Sequence, residues 1–275
     1  MKMKFIIFIV ILIIVFGLLV SSQVHDSDDS YPFQIHFFNA GKADSMIISN
    51  QGHYVIIDTG EDELSDDILR YCEENDIQKI DTLIITHFDK DHVGSAGSII
   101  EALEIGEVLQ SNVEKESEVY QNYLDALREK DITPNTVSGD YQFTLGDMKF
   151  TVNGPEIVYE KNSSNNSSLI VSLTYQNNRF LFMGDSQNDR IKDFLENNPG
   201  TYDFLKVPYH GHYLKQLENL VSNTKISYAV ITSSDEEMED EETIQVLDKY
   251  SVSYYLTREG SITLLSDGDQ IKIIQ

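Results

Sequence analysis

Apolar residues along this chain follow two periods. Runs rich in β-branched and aromatic residues read as strands over Phe33 to Phe38, Met46 to Ser49, Tyr54 to Asp58, Leu83 to Ile85, Glu107 to Gln110 and Met148 to Val152. The same pattern predicts strands over Leu169 to Tyr175, Arg179 to Met183, Asp203 to Val207, Ile226 to Thr232, Ser253 to Leu256, Ser261 to Leu265 and Gln270 to Ile274. Between them lie stretches of helical period: Asp62 to Asn75, Val93 to Leu103, Glu116 to Lys130, Asp189 to Glu196 and Glu242 to Tyr250. Lys161 to Ser168, a run of Asn and Ser, reads as a loop. Strands and helices alternate in two halves, which is an α/β pattern, with no internal repeat in the sequence.

One run breaks both periods. Lys2 and Lys4 precede an uninterrupted apolar stretch from Phe5 to Val20, and Ser21-Ser22-Gln23 follows. A basic end, an apolar middle and small residues at the exit describe a secretory signal or an uncleaved membrane anchor over residues 1–22. Either way the lysines stay inside and the rest is exported, to be secreted or held on the outer face of the membrane. Residues 23–32 are polar and read as a tether, leaving 33–275 as the folded domain. Cys72 is alone, so no intrachain disulfide forms; it lies on the apolar stripe of its helix. The net charge is -26. Binding along nucleic acid depends on Lys and Arg neutralising phosphates, so this balance argues against a surface that coats DNA. The acidic run from Asp235 to Glu242 reads as a solvated loop leading into a helix start.

The chemistry concentrates in Thr86-His87-Phe88-Asp89-Lys90-Asp91-His92-Val93-Gly94, placed between an apolar strand and a helix. A loop that opens a helix needs a single cap, which Asp91 would supply; two His and two Asp exceed that need. Residues two apart in extended chain point the same way, so His87 and Asp89 suit one cation, while Asp91 and His92 suit a second beside it. Imidazole with carboxylate is a ligand set for a borderline or hard divalent metal. Further along, apolar strands end in Asp58-Thr59-Gly60, in Gly184-Asp185-Ser186 and in Lys206-Val207-Pro208-Tyr209-His210-Gly211-His212. Taken alone, the first of these is as well explained by a turn and helix cap as by a functional role.

The His87 loop resembles the His-x-His-x-Asp-His signature of the metallo-β-lactamase superfamily. With Asp89 in place of the second His, it is similar to the hydrolase-like C-terminal domain of ComEC, a bacterial DNA-uptake channel protein. The resemblance implies a four-layer αββα sandwich. It makes His87, Asp89, Asp91, His92, Asp185 and His210 metal ligands, with Asp185 the bridging carboxylate. It sets Asp58 beneath the metal loop and matches Asn165 and Ser168 to an Asn-x-x-Ser before a strand. Tyr209 stands where the family has the first His of a pair, and His212 replaces a Ser. Gly41, Asp44 and Ser45 fit the family's opening turn, whereas Asn39, Lys42 and Ala43 depart from it.

One or two divalent ions, zinc or manganese, are the expected cofactor, the Asp89 substitution favouring oxygen-seeking ions. Two metals could share a hydroxide that attacks phosphorus in line, with Asp91 orienting the water and Lys206 or His212 assisting the leaving group. The expected function is thus an exported metal-dependent phosphodiesterase or nuclease-type hydrolase, its partner a phosphoester or other ester substrate. A hydrolase of another ester, such as a cell-wall phosphorylcholine ester or a lactone, and a non-catalytic binding module that keeps the fold are the alternatives.

Overall fold

In a computed structural model, residues 31–161 and 163–275 are described. The expected signal or anchor and nearly all of the tether lie outside them. No helix among the described residues is long and apolar enough to cross a membrane.

The strands form two sheets. The first holds β1 (Phe33–Phe37), β2 (Ser45–Asn50), β3 (His53–Thr59), β4 (Lys79–Ile85), β5 (Glu104–Gln110), β6 (Asn135–Thr136), β14 (Ile262–Ser266) and β15 (Ile271–Ile274), in the order β15-β14-β1-β2-β3-β4-β5-β6. The second holds β7 (Gly139–Leu145), β8 (Met148–Gly154), β9 (Ile170–Tyr175), β10 (Asn178–Phe182), β11 (Phe204–Lys206), β12 (Tyr228–Ile231) and β13 (Ser253–Leu256), in the order β13-β12-β11-β10-β9-β8-β7. Helices α1 (Ser65–Glu74), α2 (Lys90–Val93), α3 (Ala96–Ala102) and α4 (Glu118–Glu129) connect strands of the first sheet. Helices α5 (Ser163–Asn166), α6 (Asn188–Asn197), α7 (Leu217–Thr224) and α8 (Glu241–Lys249) belong to the second half.

Alternation along the strands builds the layers. Phe33, Ile35 and Phe37 of β1 face Phe180, Phe182 and Phe204 of the other sheet in a buried centre between the sheets. In β4, Ile84 joins that centre, while Leu83 and Ile85 turn outward to meet Ile68 of α1, Ile99 of α3 and Tyr123 of α4. Ile170 and Leu181 likewise turn outward onto Ile191 and Phe194 of α6 and Leu220 of α7. Helices on sheet, sheet on sheet and sheet on helices make the four-layer αββα sandwich.

Some elements differ from the sequence pattern. Val93 to Leu103 is not one helix: α2 ends at Val93 and α3 begins at Ala96, the chain leaving regular helical geometry at Ser95, whose ψ is 0°. The Asn and Ser run is not all loop; it contains α5, a single turn with Asn166 buried. The pattern also passed over β7 and α7. In β7, Tyr141, Phe143 and Leu145 alternate with polar residues but remain half-buried at a sheet edge, which mutes the signal.

β3, β4 and β5 run parallel, as do β10, β11, β12 and β13. In open parallel sheets, sites form beyond the carboxyl ends of the strands. Asp58, Thr86, Asp185, Val207 and Thr232 all lie at such ends.

Candidate metal centre

Asp91, His92, Asp185 and His210 converge, one atom from each lying within 4.8 Å of the others. Asp185 Oδ1 stands 3.4 Å from His92 Nε2 and 3.2 Å from His210 Nε2. His210 Nε2 stands 3.5 Å from Asp91 Oδ2. His92 Nε2, Asp185 Oδ1 and His210 Nε2 are buried without a hydrogen-bond partner. Such spacing is loose for hydrogen bonds and right for ligands of one ion: bonds of about 2.0–2.1 Å in a tetrahedron put ligand atoms about 3.3 Å apart. These residues therefore fit a divalent cation.

The remaining histidine nitrogens are held from behind. His92 Nδ1 lies 2.8 Å from Asp58 Oδ2. His210 Nδ1 lies 3.1 Å from Thr232 Oγ1, and Thr232 donates to Asp44 Oδ1 at 2.6 Å. Bonds of this kind fix ring orientation and aim the other nitrogen at a metal. Asp58 is wholly buried at positive φ; besides His92 it accepts from Thr86 N and Thr86 Oγ1, each at 2.7 Å. Asp58 thus accepts hydrogen bonds from both Thr86 groups and faces His92 Nδ1 at the base of the loop.

The His210 turn is held in an uncommon conformation. Tyr209, His210 and Gly211 take φ of 52°, 52° and 81° in succession. Non-glycine residues there cost about 1–2 kcal/mol each. Tyr209 N donates to Gly184 O at 3.2 Å and Asp240 N to Gly211 O at 3.1 Å, which pins the turn to the Asp185 loop and to the start of α8. Strain kept at a ligand turn is a mark of a site.

Electrostatics follow the crowding. Burial opposes charge on His92, yet Asp185 and Asp58 hold its pKa well above the usual imidazole value. Burial also opposes the charge of Asp185, but His210 and His92 bring it well below the usual carboxylate range. His87 goes the other way: burial, with His92 adding to it, lowers its pKa to about 4.

Asp44, Asp58 and His92 also cluster. That cluster already contains a cation, because the wholly buried Lys206 ammonium rests on Asp44 Oδ2. The buried position of Lys206 puts it behind the ligands rather than beside the mouth.

His87 and Asp89 stand next to the four-residue cluster and not within it. Their closest charged atoms are 3.9 Å apart. His87 Nε2 is buried and unpartnered, and its Nδ1 lies 3.2 Å from Thr86 Oγ1 and 3.4 Å from Ser168 Oγ. Asp89 Oδ1 takes both the ammonium of Lys115 and the hydroxyl of Ser164. Ser168 also accepts from Asp185 N at 3.1 Å, joining the two parts. Asn165 offers its backbone carbonyl to Ser168 N at 3.1 Å. Tyr209 and His212 pack ring against ring, centroids 5.0 Å apart, with His212 Nδ1 3.6 Å from Asp240 Oδ1 at the rim.

Sequence reasoning did not assign Asp44, Thr86, Thr232, Lys115 or Ser164. Asp44 had a signal in the Gly41-Lys42-Ala43-Asp44-Ser45 turn; Lys115, in an unpatterned stretch, had none.

The profile of the metallo-beta-lactamase superfamily matches residues 39–232. The chain belongs to the metallo-beta-lactamase superfamily. The matched span contains every ligand candidate, so the chain is a hydrolase-family member with residues that fit a divalent metal. It is 22% identical over 249 residues to ComE operon protein 3 of Bacillus subtilis (strain 168), covering 82% of this chain and 32% of that protein. It is 24% identical over 208 residues to Recombination protein 2 of Haemophilus influenzae, covering 73% of this chain and 24% of that protein. The chain thus spans a third or less of the length of these relatives. Among solved structures it superposes on the metallo-beta-lactamase fold protein YhfI from Bacillus subtilis with a TM-score of 0.59 at 9% identity, covering 88% of this chain and 100% of YhfI. That likeness concerns the fold.

Proposed function

We propose that this chain is an exported, metal-dependent phosphodiesterase. The observation that carries the reading is the convergence of Asp91, His92, Asp185 and His210 with three unpartnered, buried ligand atoms at coordination spacing. When bound, a divalent cation supplies a Lewis acid and lowers the pKa of a coordinated water toward neutrality.

The chain's own residues do the rest. Asp185, buried between His92 and His210, supplies the negative charge that binds the cation. Asp91 is 18% exposed, so it alone of the four reaches both the ligand cluster and the mouth. Its carboxylate, kept ionised by His210 and His92 against the effect of burial, would accept a hydrogen bond from an attacking water and so orient it. Lys206 balances the charge of Asp44 from beneath and makes no contact with substrate. His212, partly exposed beside Tyr209, is the residue we assign to assist the leaving group. The resemblance of the His87 loop to the ComEC hydrolase-like domain favours a phosphodiester, and the acidic chain favours a small substrate over long DNA. Lys2 and Lys4 ahead of the apolar run support export.

The test is hydrolysis of bis(p-nitrophenyl) phosphate by the full chain, metal-free and supplied with Zn²⁺ or Mn²⁺. Activity restored by metal and lost in Asp91→Ala and His210→Ala is the expected result. Metal binding with turnover of a carboxylic ester or lactone, and none of the diester, moves the assignment to the other ester class. No metal bound under any loading overturns the catalytic reading and leaves a binding module.

A further inference from the structure

We propose that Lys115 is a substrate-anion-binding residue that supplies the second positive charge of the site, so that the centre works with one tightly held divalent ion. The inference rests on the phosphoester reading above and deepens it. Its ground is an asymmetry between neighbouring parts of the same loop. His92, Asp185 and His210 leave buried ligand atoms without hydrogen-bond partners, and so does His87 Nε2. Asp89 does not: one of its oxygens already takes the Lys115 ammonium and the Ser164 hydroxyl. That oxygen, Oδ1, is committed to hydrogen-bond donors, and an ammonium stands against Asp89 on the side away from the Oδ2 that faces His87.

The position of Lys115 is built. Its segment follows β5, and Ser111 Oγ donates to Ser167 O at 2.9 Å while Asn112 Nδ2 donates to Pro155 O at 3.0 Å. At the other end Ser117 caps α4, accepting from Tyr120 N at 3.3 Å. The loop is therefore tied on both sides of Lys115, and to the same stretch that carries Ser164. The Lys115 side chain is 38% exposed and that of Asp89 is 25% exposed, whereas His87 is wholly buried. Lys115 thus stands between solvent and the ligands. An ammonium has three donors, and Asp89 takes one of them.

Charge gives the reason for such a residue. The mouth and its floor hold Asp44, Asp58, Asp89, Asp91 and Asp185 in a chain of net charge -26. An anionic group approaches such a site only where positive charge is displayed locally. Of the described lysines near the centre, Lys206 is buried behind Asp44, Lys90 is held at 3.0 Å by Glu61, and Lys42 is held at 2.9 Å by Glu237. Lys115 pairs with Asp89, a carboxylate of the metal loop itself. Lysine binds phosphate as a point charge, and a charge-assisted bond of that kind shifts affinity by about 10- to 100-fold.

The experiment uses the full chain loaded with Zn²⁺ or Mn²⁺ and passed through desalting. Retained metal is counted, and inorganic phosphate is titrated by calorimetry, for wild type, Lys115→Met and Lys115→Arg. The expected result is one retained ion per chain in all three proteins, with phosphate binding weakened about 10- to 100-fold in Lys115→Met and partly recovered in Lys115→Arg. The retained ion also reports that the variant is folded. Two ions retained equally tightly by wild type, or phosphate affinity unchanged in Lys115→Met, overturns the proposal. Diester hydrolysis is followed alongside. Hydrolysis by wild type with phosphate binding indifferent to Lys115 removes this inference alone. Phosphate binding that depends on Lys115 with no diester hydrolysis removes the phosphodiesterase reading and leaves the ammonium site.

Discussion

The mouth of this protein has two halves, supported in different ways. In the half made by Asp91, His92, Asp185 and His210, each histidine is aimed by a firm partner at its far nitrogen: Asp58 at 2.8 Å from His92 and Thr232 at 3.1 Å from His210. In the half made by His87 and Asp89, the histidine meets hydroxyls at 3.2 and 3.4 Å, and the carboxylate is shared with Lys115 and Ser164. The tight half draws its ligands from α2, beyond β4 of the first sheet, and from the turns beyond β10 and β11 of the second. The loose half comes from one loop and the segments beside it. Neighbours in sequence are therefore not partners in space: Asp89 and Asp91 are two residues apart and fall on different sides of the division.

The division predicts unequal consequences, the largest at Asp185. Asp185→Asn keeps the shape and removes the charge between two imidazoles. Losing an outer partner of a ligand costs about 10- to 100-fold in metal affinity. Losing this ligand charge is expected to exceed that range, read by competition with a chromophoric chelator. Asp89→Asn, in the loose half, is expected to cost about tenfold or less in the same assay. Equal losses for the two would erase the distinction. Asp58→Asn comes next: it replaces an acceptor of three bonds by a group that presents an N–H to one of those donors. Metal affinity is expected to fall by about 10- to 100-fold while the ligands themselves remain. Full affinity in this variant would show that the tight half does not depend on its support from behind.

Gly94→Ala attacks the same half through the backbone. A Cβ there would lie 2.5 Å from Lys90 O, 2.7 Å from Asp62 N and 2.7 Å from Glu61 C, all main-chain atoms with nowhere to go. Relief requires moving α2, which carries Asp91 and His92, away from the turn before α1. We expect a stability loss of about 1–3 kcal/mol in urea unfolding, with metal affinity falling as well. Stability lost with metal affinity retained would mean that the ligands follow the shift.

Much of this was legible in the sequence, and the reasons differ by element. The strands of the centre were readable because β1, β3, β4, β9 and β10 are buried on at least one face and keep strict alternation or a continuous apolar run. β7 was not, since an edge strand with half-buried aromatics imposes little pattern. The metal loop was readable because four candidate ligands, two His and two Asp, crowd into one short stretch. The grouping was expected too: one cation taking Asp91, His92, Asp185 and His210, the other His87, Asp89 and Asp185. The fold brings the first four together and leaves His87 and Asp89 beside them. Lys206 lies in a motif yet takes its role from Asp44, a residue remote in the chain. Lys115 is legible only in three dimensions, because its meaning is its contact with Asp89.

The smallest effect at neutral pH concerns a residue outside the mouth, and it sets the conditions under which the halves can be compared. His36 stacks on Tyr71 with centroids 4.4 Å apart, and its Nδ1 lies 3.2 Å from Thr263 Oγ1. Burial lowers its pKa from 6.5 to about 4. In the unfolded chain this imidazole takes up a proton as pH falls below 6.5, while in the folded chain it stays neutral until about pH 4. The unfolded state therefore binds more protons across that window, and stability falls as pH falls. The full loss, about 3 kcal/mol, is reached near pH 4 and is almost absent above pH 7. Urea unfolding of the metal-free protein between pH 7.5 and 4 should show this slope, and His36→Gln should flatten it. An unchanged slope in His36→Gln would place the acid sensitivity in the mouth, among the carboxylates and histidines of the two halves. The comparison between Asp185 and Asp89 then holds only above pH 7, where neither state of the protein is gaining protons at His36.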